Sequence, residues 1–189
     1  MKIDKDDISV LILAGGAGRR VGGRDKGLLE LNGKKLIEHQ IHWAAKQTDN
    51  IIISANRSLE HYRKYNLPVV EDYSKDYLGP ISGIQVGLNQ VKTNWLWVQP
   101  IDLPCLPDNL LELLLDGQGL SKRCNYLISH EREHYLSMLI SKTCLPSIDQ
   151  FLKNKKSRVR ELHSILKSKK INLGLCEDKF TNLNSLSDF

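Results

Sequence analysis

Short apolar runs alternate along this chain with stretches in which apolar residues recur at helical spacing. Ser9 to Leu13 (Ser-Val-Leu-Ile-Leu) reads as a buried strand. Ile51 to Ile53 is wholly apolar and β-branched, as expected of a strand covered on both faces. Between them Leu36, Ile37, Ile41, Ala44 and Ala45 predict a helix over Lys35–Thr48. Glu60–Tyr65 reads as a short helix and Pro68–Asp72 as a third strand. Gly79-Pro80-Ile81-Ser82-Gly83 opens a helix running to about Val91, and Trp95–Val98 is a fourth strand. Pro107, at a favourable first-turn position, starts a helix through Leu115 with Gly117 beyond its end. Tyr126–Ser129 and Tyr135–Ser141 are strands flanking the charged turn Glu131-Arg132-Glu133. Helices over Ser147–Lys153 and Val159–Lys167 follow, then a last strand at Ile171–Leu175 and a polar tail. Such alternation predicts one α/β domain, a mostly parallel sheet with helices on both faces.

Length and composition agree. The 189 residues, 41% hydrophobic and 26% charged, suffice for one domain with a sizeable core. No run of 18 apolar residues occurs, and the polar first residues lack the apolar centre of a secretion signal. Cys105, Cys124, Cys144 and Cys176 are far apart and form no Cys-x-x-Cys pair. They read as reduced packing residues, and a cytoplasmic setting is expected. The net charge of +5 draws on Lys153, Lys155, Lys156, Arg158, Arg160, Lys167, Lys169 and Lys170. No interleaved aromatics or nucleic-acid motif accompany them, so a solvated helix face and a small phosphorylated substrate are expected, with no nucleic acid and no membrane. The six histidines show no metal-site clustering and are expected at the surface.

The chemistry concentrates where the first strand ends. Leu13-Ala14-Gly15-Gly16-Ala17-Gly18-Arg19-Arg20-Val21-Gly22-Gly23-Arg24-Asp25-Lys26-Gly27 holds five glycines before Lys26. Glycines let the backbone turn tightly and aim N–H groups at an anion, and the interspersed cations suit a phosphate-rich ligand. This is a nucleotide-phosphate loop, yet not a Walker loop, since no Gly-x-x-x-x-Gly-Lys-Ser/Thr run exists. Nor is it the dinucleotide fingerprint. Gly16-Ala17-Gly18-Arg19-Arg20-Val21 fails at its last position, and the second strand runs into Ser54-Ala55-Asn56 without a carboxylate. In open α/β sheets, ligands sit at the carboxyl ends of the strands. The loop, Asn56, Asp72 and Asp102 each follow one of the first four strands. Asp102, held between Pro100 and Pro104, is a carboxylate suited to a divalent cation.

The run from Leu13 to Gly27, continued by Leu28-Leu29-Glu30-Leu31-Asn32-Gly33-Lys34, resembles the molybdenum cofactor guanylyltransferases, the MobA family. The Leu-Ala-Gly-Gly opening alone marks only the nucleotidyltransferase superfamily; Asp25-Lys26-Gly27 and the later matches narrow it. The resemblance implies a Rossmann-like nucleotidyltransferase fold over 1–189. The part from about 8 to 105 would bind nucleotide, and that from about 125 to 189 molybdopterin. It implies transfer of GMP from GTP to the terminal phosphate of molybdopterin, with pyrophosphate leaving and Mg²⁺ as cofactor. Partners would be GTP, molybdopterin, and proteins that make or accept the molybdenum cofactor.

By the same resemblance, Pro100-Ile101-Asp102-Leu103-Pro104 matches the metal-binding aspartate segment. Asp102 would hold the metal, with no second carboxylate assigned. Lys26 and Arg20 would neutralise the triphosphate and the leaving pyrophosphate, with Arg19 and Arg24 able to assist. Leu13, Ala14, Gly15 and Gly16 would give backbone contacts to base and phosphate. Asn56 and Asp72 align with GTP-binding positions, Asp72 meeting either base or ribose. Gly79 and Gly83 match a Gly-Pro-x-x-Gly segment, either a helix cap or a close approach to the substrate phosphate. Asn182 and Asn184, in Thr181-Asn182-Leu183-Asn184-Ser185, resemble an Asn-x-Asn segment that faces molybdopterin, and Arg158 would meet the pterin phosphate. Departures are Val21 for Met, Tyr135 for the proline after His134, and Leu186 for the proline after Ser185; the family's closing helix is short or missing before Phe189. Rival readings are a cytidylyl or sugar-phosphate nucleotidyltransferase, a GTP-binding module without turnover, and a dinucleotide-dependent oxidoreductase that the broken fingerprint disfavours.

Overall fold

The computed structural model describes residues 3–16, 22–74, 79–117, 119–129, 132–174 and 183. Its elements run β1 (Ile8–Leu13), β2 (Glu30–Leu31), β3 (Lys34–Lys35), α1 (Leu36–Gln47), β4 (Ile51–Ser54), α2 (Leu59–Arg63) and β5 (Val69–Val70). Then follow α3 (Pro80–Gln90), β6 (Trp95–Pro100), α4 (Leu110–Gly117), β7 (Cys124–Ser129), β8 (Arg132–Ser141), α5 (Leu145–Lys153), α6 (Val159–Leu166) and β9 (Lys169–Asn172). Seven strands form one sheet in the order β5-β4-β1-β6-β8-β7-β9. Only β8 runs against the others, pairing antiparallel with both β6 and β7. The expected α/β fold with a mostly parallel sheet is therefore what forms.

β1, β4 and β6 are buried along their whole length, because both faces of the sheet are covered. On one face Ile8, Val10, Ile12, Trp95 and Trp97 pack with Leu36, Ile37 and Trp43 of α1 and Leu110, Leu111 and Leu114 of α4. On the other, Leu11, Leu13, Leu96 and Val98 pack with Ile81, Ile84 and Leu88 of α3 and with α5 and α6. Each face follows from the alternation along the strands.

Several elements differ from the pattern reading, β8 among them, which starts at Arg132 inside the expected charged turn. The fourth helix starts at Leu110 rather than Pro107, whose carbonyl accepts from Trp43 Nε1 at 2.8 Å and from the Leu110 N–H. The last strand is Lys169–Asn172 rather than Ile171–Leu175. As the outer strand beside β7 it buries only Ile171, and edge lysines replace the apolar run that marks interior strands. The third strand shrinks to Val69–Val70 at the opposite edge. The hairpin β2–β3 was not foreseen, although its turn residues Asn32 (φ 52°) and Gly33 (φ 76°) are the preferred left-handed pair.

Helix α3 lies close to the sheet because Gly83 and Gly87 face it. A Cβ at Gly87 would stand 2.8 Å from Leu11 Cδ2 and 3.2 Å from Leu96 Cδ2. Gly87→Ala gains about 1 kcal/mol of helix propensity but overpacks a filled core, a cost of about 1–3 kcal/mol. The expected net loss is about 1 kcal/mol, a fall in Tm of about 2–4 °C. A rise in Tm would show that this core has room to spare.

Candidate active site

The strand ends meet where the pattern placed them. Ala14 and Gly15 leave β1 with both N–H groups donating to the Ser54 carbonyl of β4, each at 2.9 Å. These two donors are thus spent on the fold. A side chain at Gly15 would crowd Asn56, its ideal Cβ lying 3.3 Å from Asn56 Nδ2. Leu13 is buried and its carbonyl accepts from the Ile101 N–H, while Gly15 and Gly16 are exposed.

Asn56 and Asp72, after β4 and β5, lock each other. Asn56 Nδ2 donates to Asp72 Oδ2 at 2.9 Å, and the Asp72 N–H donates to Asn56 Oδ1 at 2.8 Å. Burial raises the Asp72 pKa, opposed by the hydrogen bonds from Asn56 and Ser82. The carboxylate is half-buried and aligned, ready to meet N–H or O–H donors.

Across β1, Lys26 Nζ lies 3.3 Å from Asp102 Oδ2, both side chains about one-fifth exposed. Lys26 reaches there from a single 3₁₀ turn, Lys26–Leu28, capped by the Asp25 carboxylate on the Gly27 N–H at 3.2 Å. Asp25 Oδ1 also accepts from Tyr62 Oη at 2.6 Å, and Tyr62 is fully buried. Burial, then the bond to Asp25, pushes the Tyr62 hydroxyl far above its ordinary range. Gly27 has no room for a side chain, because a Cβ would collide with the Tyr62 hydroxyl. Arg57 completes the brace: Nη1 donates to Gly23 O at 2.9 Å, Nη2 to Arg24 O at 2.6 Å, and Nε faces Asp25 Oδ2 at 3.7 Å. Pattern reading stopped at Asn56 and missed Arg57 and Tyr62. Their partners lie more than 30 residues away in sequence, so the local pattern carried no signal for them.

On the far side of Asp102 the sheet opens. β6 and β8 pair only as far as Val98 and Met138. Against β7, the register of β8 jumps from Tyr126–Met138 to Leu127–His134, leaving Tyr135, Leu136 and Ser137 without opposite partners. This bulge and the turn after β6 bound a cleft of about 270 Å³, lined by Asp102, Leu103, Arg132, His134, Ser137 and Val159 among others. The buried Ser137 hydroxyl has no hydrogen-bond partner. The Leu183 N–H donates to the Asp102 carbonyl at 3.1 Å, which brings the chain between Asn182 and Asn184 beside the aspartate.

Asn182, Asn184 and Arg20 lie outside the described residues. Arg158 is exposed at the start of α6, 3.6 Å from Glu161, and its neighbour Val159 lines the cleft. Gly79 caps α3 with φ 82°, and its Cβ position would lie 3.9 Å from Ser157 O, so these two segments adjoin. Gly83 is not part of the entering turn: it is buried in the second turn of α3, against Ser54 and Leu13. Its lack of a side chain serves packing. Among the described residues no three His, Cys, Asp or Glu side chains gather as a metal cage, and no helix is long and apolar enough to cross a membrane. Two histidines expected outside are buried: His134 bonds Ser129 Oγ at 2.7 Å, and His163 bonds Tyr135 O and Ser168 Oγ. Cys124 and Cys144 are buried free thiols, whereas Cys105 is exposed.

The family model of the MobA-like NTP transferase domain matches residues 10–170, which includes every strand end just described. The chain belongs to this family. A molybdenum cofactor guanylyltransferase of Vibrio cholerae is 34% identical over 185 residues, covering 97% of this chain and 90% of that protein. Two solved structures share the fold. The molybdopterin-guanine dinucleotide biosynthesis protein A of Archaeoglobus fulgidus has a TM-score of 0.77 at 22% identity, over 95% of this chain and 94% of that one. The 4-diphosphocytidyl-2C-methyl-D-erythritol synthase of Anaerococcus prevotii has a TM-score of 0.71 at 15% identity, over 99% and 94%. This family of nucleotidyltransferases thus accounts for the loop, the two acidic strand ends and the sheet order together.

One charge cluster beside the cleft gives a pH test. Glu133 accepts from Lys170 Nζ at 2.6 Å and from the hydroxyls of Tyr135 and Tyr126. These bonds, Lys170 foremost, hold its carboxyl at about 2, below the ordinary 4.5. A depressed carboxyl pKa stabilises the fold fully above the ordinary value and loses that contribution as the pH falls toward about 2. The urea midpoint of the native chain should exceed that of Glu133→Gln at pH 6, and the difference should shrink steadily below pH 4.5. A difference independent of pH would remove the carboxylate as its source.

Proposed function

We propose that this chain transfers the GMP moiety of GTP to the terminal phosphate of molybdopterin, forming the dinucleotide cofactor and releasing pyrophosphate. The observation that carries this reading is the 3.3 Å approach of Lys26 to Asp102, a cation from the glycine loop set against a carboxylate from a distant strand. The name of the Vibrio cholerae relative supports the choice of nucleotide and acceptor.

The chemistry needs little from side chains. An oxygen of the acceptor phosphate attacks the α-phosphorus, and the bond from that phosphorus to the bridging oxygen of pyrophosphate breaks. The attacking phosphate is already ionised near neutral pH, so no general base is required. The problem is repulsion between anions. Lys26 would leave Asp102 for the triphosphate and meet the charge that grows on the pyrophosphate. Arg20 is proposed to share that role. Asn56 and Asp72 would orient the nucleoside, Asp72 accepting from guanine N–H groups or ribose hydroxyls. The cleft beyond Asp102 would seat the acceptor, with Gly79 and Arg158 near its phosphate and Asn182 and Asn184 near its pterin. Gly83 would contribute by letting α3 sit close to the sheet.

Mg²⁺ fits this donor set. It typically takes one or two carboxylates and completes its shell with phosphate oxygens and water, and a single partly exposed carboxylate at the strand end would suit it. Asp102 would hold the ion, and its chemistry when bound is neutralisation of the triphosphate.

Two measurements test the reading. Lys26→Ala and Asp102→Asn should each lower pyrophosphate release from GTP plus molybdopterin by about 10²–10³-fold, the scale of losing one preorganised charge at a reacting phosphoryl group. The double variant should fall well short of the product of the two, because the residues act on one group. Retention of full transfer by either single variant would displace the active centre. GTP with Mg²⁺ should raise Tm more than CTP or UTP does; best protection by CTP would overturn the guanylyl assignment.

A further inference from the structure

Arg57 stands outside every residue assigned above, yet it holds more of the phosphate loop than any other described side chain. Its two terminal nitrogens are taken by consecutive backbone carbonyls, Gly23 O and Arg24 O, and its Nε faces the Asp25 carboxylate. Asp25 Oδ2 and Arg57 Nε are both buried and have no hydrogen-bond partner, so each relies on the other's charge. Asp25 in turn caps the turn that carries Lys26 and receives the Tyr62 hydroxyl.

The consequence is directional. In a trans peptide unit the C=O and the following N–H point in opposite directions. With Gly23 O and Arg24 O drawn onto Arg57, the N–H groups of Arg24 and Asp25 are turned away from it. Sheet order sets Arg57 and the Lys26–Asp102 pair apart. Arg57 follows β4 and Asp102 follows β6, on opposite flanks of β1. Lys26, one residue further, reaches to the β6 flank and Asp102. Gly22 (φ 66°) and Gly23 (φ 77°) supply the left-handed backbone that lets this segment curl, a geometry associated with N–H nests for anions.

On the reading that the loop binds the phosphates of GTP, we propose that Arg57 is a positioning residue for them. It never touches the nucleotide; it holds two carbonyl oxygens back from the phosphates and so presents the Arg24 and Asp25 N–H groups instead. A lysine cannot replace it, since one ammonium lacks the planar fork that takes two carbonyls and a carboxylate together.

The test is the kinetics of Arg57→Ala and Arg57→Lys, with equilibrium binding of pyrophosphate and of GTP and thermal unfolding of each variant. Arg57→Ala should raise the KM for GTP about tenfold or more and weaken pyrophosphate binding in parallel, as expected when a charge-assisted array is lost. The KM for molybdopterin should stay near the native value. Arg57→Lys should recover less than half of the loss, and it is the deciding variant if Arg57→Ala does not fold. A purely structural role would lower Tm and the active fraction, hence apparent kcat, but leave the KM of the folded enzyme alone. A KM for GTP within about twofold of native in the folded variant would overturn the proposal. Native protein that binds neither GTP nor pyrophosphate would instead overturn the functional reading itself.

Discussion

A nucleotidyl transfer brings an anionic acceptor against an anionic donor, and at the carboxyl edge of this sheet a lysine from the turn closing the glycine loop stands 3.3 Å from an aspartate that follows β6. Without ligand the two charges satisfy each other. This keeps both partly sheltered side chains in place at modest cost, because neither is deeply buried. On the proposed reading, a triphosphate and a cation would give each charge a better partner, and the pair would be the resting arrangement of the two groups. The sequence separation between them, 76 residues, is crossed by direct parallel pairing of β1 with β6.

That arrangement depends on a loop that would otherwise be loose. Glycines let the chain curl but do not hold it curled. Holding falls to Asp25, Arg57 and Tyr62, three groups from two segments joined by hydrogen bonds of 2.6–3.2 Å and one charge contact. Tyr62 is anchored in the core with α2, and Arg57 follows β4, so the loop is tied to the rigid part of the molecule. Flexible residues thus provide the shape, while the fixed position comes from polar contacts to buried elements.

How much of this was legible in the sequence follows from which forces act locally. The β1, β4 and β6 strands were readable because burial on both faces leaves uninterrupted apolar runs. Asp72 and Asp102 were readable because each comes just after an apolar strand pattern, and Lys26 because it closes the glycine-rich loop. Arg57 and Tyr62 were not, since what selects them is a neighbour more than 30 residues away, and nothing in Asn56-Arg57 or Glu60-His61-Tyr62 records it. Lys169 and Lys170 looked like part of a charged helix face but pair as edge strand. His163 looked like a surface residue on α6. Burial instead lowers its pKa, and since the Tyr135 carbonyl can only accept, Nε2 carries the proton and Nδ1 accepts from Ser168. Gly83 belongs with these: its motif left a helix cap and a substrate approach equally open, and the Ser54 and Leu13 side chains explain the missing Cβ.

β8, the one strand of the seven-stranded sheet that runs against its neighbours, is what opens the cleft beyond Asp102. Had β8 stayed in register with β6 to its end, Gln99 and Pro100 would be paired and no space would remain beyond Asp102. Instead pairing stops at Val98, and the β8 bulge carries Tyr135 to Ser137 out of the ladder. One of the displaced carbonyls, that of Tyr135, is taken by His163 from the helix side. Bulges beside catalytic strands commonly re-aim side chains; here the same device also makes room. Glu133 and Tyr135 stand in the wall between this cleft and a larger cavity of about 640 Å³ under α6, where Tyr126, Tyr135 and Lys170 all converge on one carboxylate. A proline at position 135 could supply no such hydroxyl. In this chain the wall is therefore polar and cross-linked, and the cleft beyond Asp102 is bounded by contacts that the Lys26 side does not share.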